Sequence, residues 1–295
     1  MSPRRAAAVL SLLALVAGGC GKQSSQRPDI ARYVKQVNTI EAALAAPLAS
    51  VTSAGNAFSR EQRSGGDVLS QRPAGKSILV LGPSPEQTLQ KALTRIRALR
   101  ARLAAIGAPP AAGHLRVLLL ELIDGDAAMT RELAELVAYL PAYAATLGSL
   151  GPATRQLETV LSRRTAYGAA AVRAVFATKA AALRRFQVTT GTLVLQLHRL
   201  RPPPVSRPGY AAEVTALQGM GASAGRLAAM LAAGGSANVR PVLAQFDRAA
   251  GNGETVAVQR AEIAADRAYD SRVSALNALS QKVTLERLQL SNTLK

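Results

Sequence analysis

The chain has 295 residues, 36 Lys and Arg against 18 Asp and Glu, one Cys, two His and no Trp. One Cys excludes an intramolecular disulfide framework and any Cys-rich zinc or iron–sulfur centre, and two His exclude a three-His metal site. An apolar content of 48% is ample for one large core or two smaller ones and is not the composition of a disordered chain.

Arg4 and Arg5 give a short basic start, Ala6 to Val16 is apolar apart from Ser11, and Ala17, Gly18 and Gly19 are small. Charged start, apolar middle and small-residue cut site are the parts of a secretory signal. The apolar run is about half the ~20 residues of a membrane-spanning helix, which favours cleavage over an uncleaved anchor. Ala17-Gly18-Gly19-Cys20 resembles the lipobox of bacterial lipoproteins, and Cys20 is the chain's only thiol. The resemblance implies diacylglycerol on the Cys20 sulfur and cleavage just before it. Residues 1–19 are then a leader and 20–28 a polar tether, with the protein held on the outer face of the cytoplasmic membrane or on an outer membrane. Seven flexible residues span about 15 Å, so the folded part is expected close to the bilayer.

Beyond the tether the dominant pattern is apolar residues at 4-3 spacing, which make one stripe on a helix. Ile30, Val34, Val37, Leu44, Leu48, Val51 and Phe58 share one register. So do Leu115, Leu119, Leu122, Met129, Leu133, Leu136 and Leu140. The pattern predicts helices over 29–62, 86–106, 112–148, 153–200, 209–233, 238–249 and 254–293. Pro47 and Pro141 are expected to kink theirs. Ser84-Pro85 reads as a helix start. The one strand-like run is Ser77 to Leu81, in a long connection from Ser64 to Pro85. An ungapped offset of 94 places Leu99 on Leu193, Leu103 on Leu197 and Pro109-Pro110 on Pro203-Pro204, which suggests two helix–Pro-Pro–helix repeats. The expected fold is all-α: an elongated antiparallel bundle of long helices, with helical regions 29–150 and 151–295 packed as one continuous bundle.

Each motif with possible chemistry has a plainer reading. Gly221-Ala222-Ser223-Ala224-Gly225 matches a hydrolase nucleophile elbow, but the surroundings read as helix and no His follows His198, so the small residues are expected to allow close helix packing. Ala74-Gly75-Lys76-Ser77 ends like a phosphate-binding loop but has Ser70 where the first Gly belongs. Gly219-Met220-Gly221 lacks the third Gly of a dinucleotide fingerprint. Asp124-Gly125-Asp126 with Glu121, Glu132 and Glu135 lacks the ligand ladder of a calcium loop and reads as a solvated acidic face. His114 and His198 read as surface residues. No catalytic residue, metal or cofactor is expected.

The strongest polar feature is basic. Arg155, Arg163, Arg164, Arg173, Lys179, Arg184, Arg185, Arg199, Arg201 and Arg207 face Glu158 alone in that stretch. Such a surface beside a bilayer is attracted to anionic lipid headgroups, or to anionic envelope polymers. The alternative is compositional: Arg far outnumbers Lys, as in high-G+C bacteria, with the charge spread over solvated faces. Export and the scarcity of aromatic stacking platforms disfavour nucleic acid. The expected function is a non-enzymatic scaffold or interaction module near the membrane, with a protein partner the residues do not name. The alternative is a lipoprotein that binds a small ligand or lipid between helices.

Overall fold

The computed structural model describes residues 27–64, 84–162, 168–233, 244 and 253–294. Among these residues every regular element is helical. The helices are α1 (Arg27–Ser64), α2 (Pro85–Ala105), α3 (Gly113–Leu147), α4 (Leu150–Leu161), α5 (Ala169–Leu197), α6 (Arg207–Ala232) and α7 (Gly253–Leu294). Single 3₁₀ turns, Pro110–Ala112 and Pro204–Ser206, precede α3 and α6. The signal with Cys20, the strand-like run 77–81, the Ala74-Gly75-Lys76-Ser77 loop, the helix expected at 238–249, Arg163 and Arg164 lie outside the described residues.

Local chemistry explains the boundaries. Ser84 caps α2, its hydroxyl accepting from the Gln87 N–H at 3.2 Å, with Pro85 in the first turn where its missing N–H costs nothing. Pro47 and Pro141 both lie inside continuous helices. One expectation is corrected: the helix expected over 153–200 is two helices. α4 stops at Leu161 and α5 starts after Gly168, which sits at φ 102° and ψ 142°. That backbone region suits glycine, and the apolar spacing runs on through it without a proline to mark the break. The freed carbonyl of Leu161 accepts from Lys179 Nζ at 2.7 Å, which satisfies one orphan group of the α4 end.

Contacts gather the helices into two compact units. The first takes α1, α2, α3 as far as Val137, and α7 from Ala268; the second takes α3 from Ala138, α4, α5, α6, and α7 as far as Arg267. The first core joins Ile30, Tyr33, Val37, Ile40 and Leu44 of α1 to Ile96, Leu99 and Leu103 of α2, Leu115, Leu119 and Ile123 of α3, and Val283 and Leu290 of α7. The second joins Leu157 of α4 to Leu183, Phe186, Leu193 and Leu197 of α5 and Val214, Leu217, Met220 and Leu227 of α6. Each fully buried Leu is worth about 1.5–3 kcal/mol in water-to-core transfer. In α1 the buried line runs through Tyr33 and Ile40, with Val34 and Leu48 only partly buried beside it.

The same hairpin is built twice at the offset of 94. The 3₁₀ turns start at Pro110 and Pro204, and the following helices start at Gly113 and Arg207. Pro109 lies at φ −62°, ψ 154° and Pro203 at φ −61°, ψ 156°. Gly113 lies at φ −58°, ψ −42° and Arg207 at φ −56°, ψ −43°. Burial repeats with the backbone: Leu89 and Leu183, Ile96 and Thr190, Leu99 and Leu193, Leu103 and Leu197, Ile123 and Leu217, and Ala134 and Ala228 are all buried.

Candidate functional site

The Gly-x-Ser-x-Gly motif lies within α6, a continuous helix with no strand before it. Ser223 is buried and accepts from an Arg226 N–H at 3.2 Å. A Cβ on Gly221 would sit 2.6 Å from Thr190 Oγ1, and one on Gly225 would meet the Gln187 amide at 2.7 Å. These glycines let α5 and α6 approach closely, and the strained exposed turn a nucleophile needs is not the geometry present.

The acidic motif is split by its helix. Residues two apart on a helix point about 200° apart. Asp124 faces outward and takes a bidentate pair from Arg100, at 2.8 and 2.9 Å, while Asp126 faces inward. Burial pushes the Asp126 carboxyl up to about 6. Gly125 between them lets Leu276 of α7 approach, with a Cβ there 2.2 Å from the Leu276 side chain. Glu132 is taken by Arg272. Among the described residues no cluster of three or more His, Cys, Asp or Glu could hold a metal ion. His114 lies 3.9 Å from a Glu286 oxygen, and His198 Nδ1 lies 3.4 Å from the Tyr210 hydroxyl.

Two buried polar groups escaped the sequence reading. Tyr33 is 2% exposed, its hydroxyl has no hydrogen-bond partner among the described residues, and burial pushes it up while Arg116 and Arg287 pull against the shift. Arg116 donates to the Ala104 carbonyl and Arg287 pairs with Glu41. In the second unit Tyr139 stacks on Tyr143, ring centroids 5.3 Å apart. Its hydroxyl is likewise without a partner, and burial, then Tyr210 and Glu213, push it up to about 12. The signal available was weak: Tyr33 sits one place off the stripe, and Glu41 is one of the stripe's interruptions. A hollow of about 430 Å³ opens at the first Pro-Pro corner, lined by Asp29, Arg32, Tyr33, Gln36 and the segment Gly107 to Pro110.

The basic stretch divides by position. Arg155, Arg173, Arg184, Arg185, Arg199, Arg201 and Arg207 are exposed, while Lys179 is partly buried on the end of α4. Arg173, Arg184 and Arg185 fall on the outer side of α5, Arg199 lies exposed in the turn after it, and α5 carries no acidic residue. On the same side Val188 is 69% exposed and Leu195 is 65% exposed. The stretch Pro110–Leu161 has an apolar window long enough to cross a membrane by length and composition. Leu115, Leu119 and Ile123 at its start nevertheless belong to the first core.

The fold is therefore that of an all-α bundle protein built on a repeated hairpin. The chain matches no protein family, no curated protein and no solved structure.

Proposed function

We propose that the protein is a lipid-anchored helical component of the bacterial envelope that works as a scaffold or interaction module at the membrane surface rather than as an enzyme. The observation that carries this reading is the order Arg4-Arg5, apolar 6–16 and Ala17-Gly18-Gly19-Cys20, ending on the chain's only thiol. Two buried acyl chains suffice for stable anchoring, at about 0.8 kcal/mol per methylene. The helices add support of a different kind: their inner faces are taken up by packing, so the exposed polar chemistry is carried on outer helix faces. A second reading, a small-ligand binding protein, is favoured by the hollow beside Tyr33. Its lining of an Asp29–Arg32 pair and backbone at Gly107 to Pro110 suits a small polar ligand better than a lipid.

The test is Cys20→Ala in a bacterial host that lipidates exported proteins. The wild-type chain should take up labelled palmitate and sediment with membranes; the variant should take up none and keep its leader uncleaved. A wild-type protein that takes up no palmitate, or one recovered with a free thiol, refutes the anchor.

A further inference from the structure

The outer side of α5 combines two properties that folding does not ask for. At 100° per residue, Arg173, Arg184, Arg185 and Leu195 lie within about 60° of Val188, and Arg199 follows in the turn just past the helix end. All are exposed, so the face is basic, with two large apolar side chains at its centre standing in water. The repeated hairpin supplies an internal comparison. Arg184, Val188 and Leu195 stand at the positions of Gln90, Thr94 and Ala101 on α2, all likewise exposed. The sister helix builds the same hairpin with small or polar residues there, so the bundle has no need of Val188 and Leu195. α2 is also basic, through Lys91, Arg95, Arg97 and Arg102. What distinguishes α5 is apolar surface set among the cations.

We infer that the outer face of α5 docks on an anionic bilayer surface, its arginines on lipid headgroups and Val188 and Leu195 below them at the acyl boundary. This deepens the membrane-surface reading and rests on it. Charge complementarity selects the occupant: this face carries Arg173, Arg184 and Arg185, α5 has no anionic side chain, and anionic headgroups are the matching surface. The exposed Val and Leu select lipid over a soluble polyanion, because a polymer of charged groups offers them nothing to dissolve in.

The test uses the full chain with Cys20→Ala, which removes the only thiol and the anchor together, and one new cysteine carrying an environment-sensitive fluorophore. The reporter is Leu195→Cys and the control is Ala101→Cys, its counterpart on α2. With vesicles of phosphatidylglycerol and phosphatidylcholine the Leu195 label should shift to the blue, and the Ala101 label should not. Pure phosphatidylcholine vesicles should give no shift. Replacing Arg184 and Arg185 with Gln should weaken vesicle binding about 30-fold, and salt near 0.5 M should reverse it. Vesicle binding driven by the uncleaved leader leaves both labels in water, so it cannot imitate the result. A Leu195 label unmoved on bound vesicles, equal shifts at both positions, or binding to soluble polyphosphate with preference over vesicles overturns the proposal. None of these outcomes depends on Cys20, so loss of the anchor and failure of the face are read separately.

Discussion

Gly219 and Gly221 sit two residues apart in α6, and replacing each with Ala should shift stability in opposite directions. Both lie in the helix interior, where Gly costs about 0.5–1 kcal/mol relative to Ala, so both substitutions gain that term. At Gly219 nothing lies within 4 Å of the new methyl, and the gain stands alone. At Gly221 the methyl arrives 2.6 Å from Thr190 Oγ1, roughly 1 Å inside normal contact. Thr190 is 1% exposed and its hydroxyl donates to the Gln187 carbonyl at 2.9 Å, so turning it away strands a buried hydroxyl. Overpacking and a lost buried hydrogen bond each cost about 1–3 kcal/mol, and the net for Gly221→Ala is a loss of about 1–5 kcal/mol. Urea unfolding followed by circular dichroism at 222 nm should place Gly219→Ala above the wild type and Gly221→Ala below it. Adding Thr190→Ala to Gly221→Ala should cost less than the sum of the two singles, because the methyl then has room. A Gly221→Ala protein as stable as Gly219→Ala would refute the close approach of α5 and α6 there.

Asp126 should make stability fall as pH rises. Its folded value, about 6, lies above the unfolded 3.8, so the folded state holds the proton more tightly, and the penalty grows from about pH 4 and is complete above 6. At one unit per 1.36 kcal/mol the ceiling is about 3 kcal/mol, less whatever water the partly buried carboxyl keeps; Asp126→Asn should stabilise the protein at pH 7, hardly alter it at pH 4, and leave a flatter urea-midpoint profile between. Leu103→Ala and Leu197→Ala occupy equivalent, fully buried places in the two cores and should each cost about 2–5 kcal/mol, adding when combined; a loss below 1 kcal/mol for either in urea melts would break the equivalence.

How much of this was visible beforehand depends on what each residue obeys. The all-α class and the paired Pro-Pro corners were legible because apolar spacing and a proline's fixed φ are properties of the residues themselves. The break at Gly168 was not, since no proline lies between Leu157 and Val172 to mark it. In α1 the expected stripe holds at Ile30, Val37, Leu44 and Phe58 but misses Tyr33 for Val34, because Val34 is as apolar as Tyr33 and only its packed neighbours decide which points inward. At the candidate site, the Arg content of 173–199 could be counted, but not the sidedness. Lys179 looked like its neighbours, yet its ammonium is bound to the Leu161 carbonyl. Val188 and Leu195 read as core residues by type, and only the fold turns them outward.

The two hairpins also separate what the backbone demands from what each unit has been given. Where both copies bury an apolar residue, as at Leu103 and Leu197, the position serves the core. Where they differ, the backbone accepts either residue. Asp126 stands where the second hairpin has Met220, and Glu213, itself buried, stands where the first has Leu119. The second unit thus buries an acid, and the first holds one half-buried, at places the sister fills with a buried apolar side chain, and the same backbone accepts either. Burying a carboxylate costs free energy unless it is paired or protonated. Neither acid is therefore a requirement of the fold. The same logic applied to the surface singles out Val188 and Leu195, whose sister positions hold Thr94 and Ala101, and Val117, whose sister is Ala211; exposing Val and Leu gains the fold nothing. Within the hairpins, it is the differences rather than the shared core that distinguish the surface of one unit from the other.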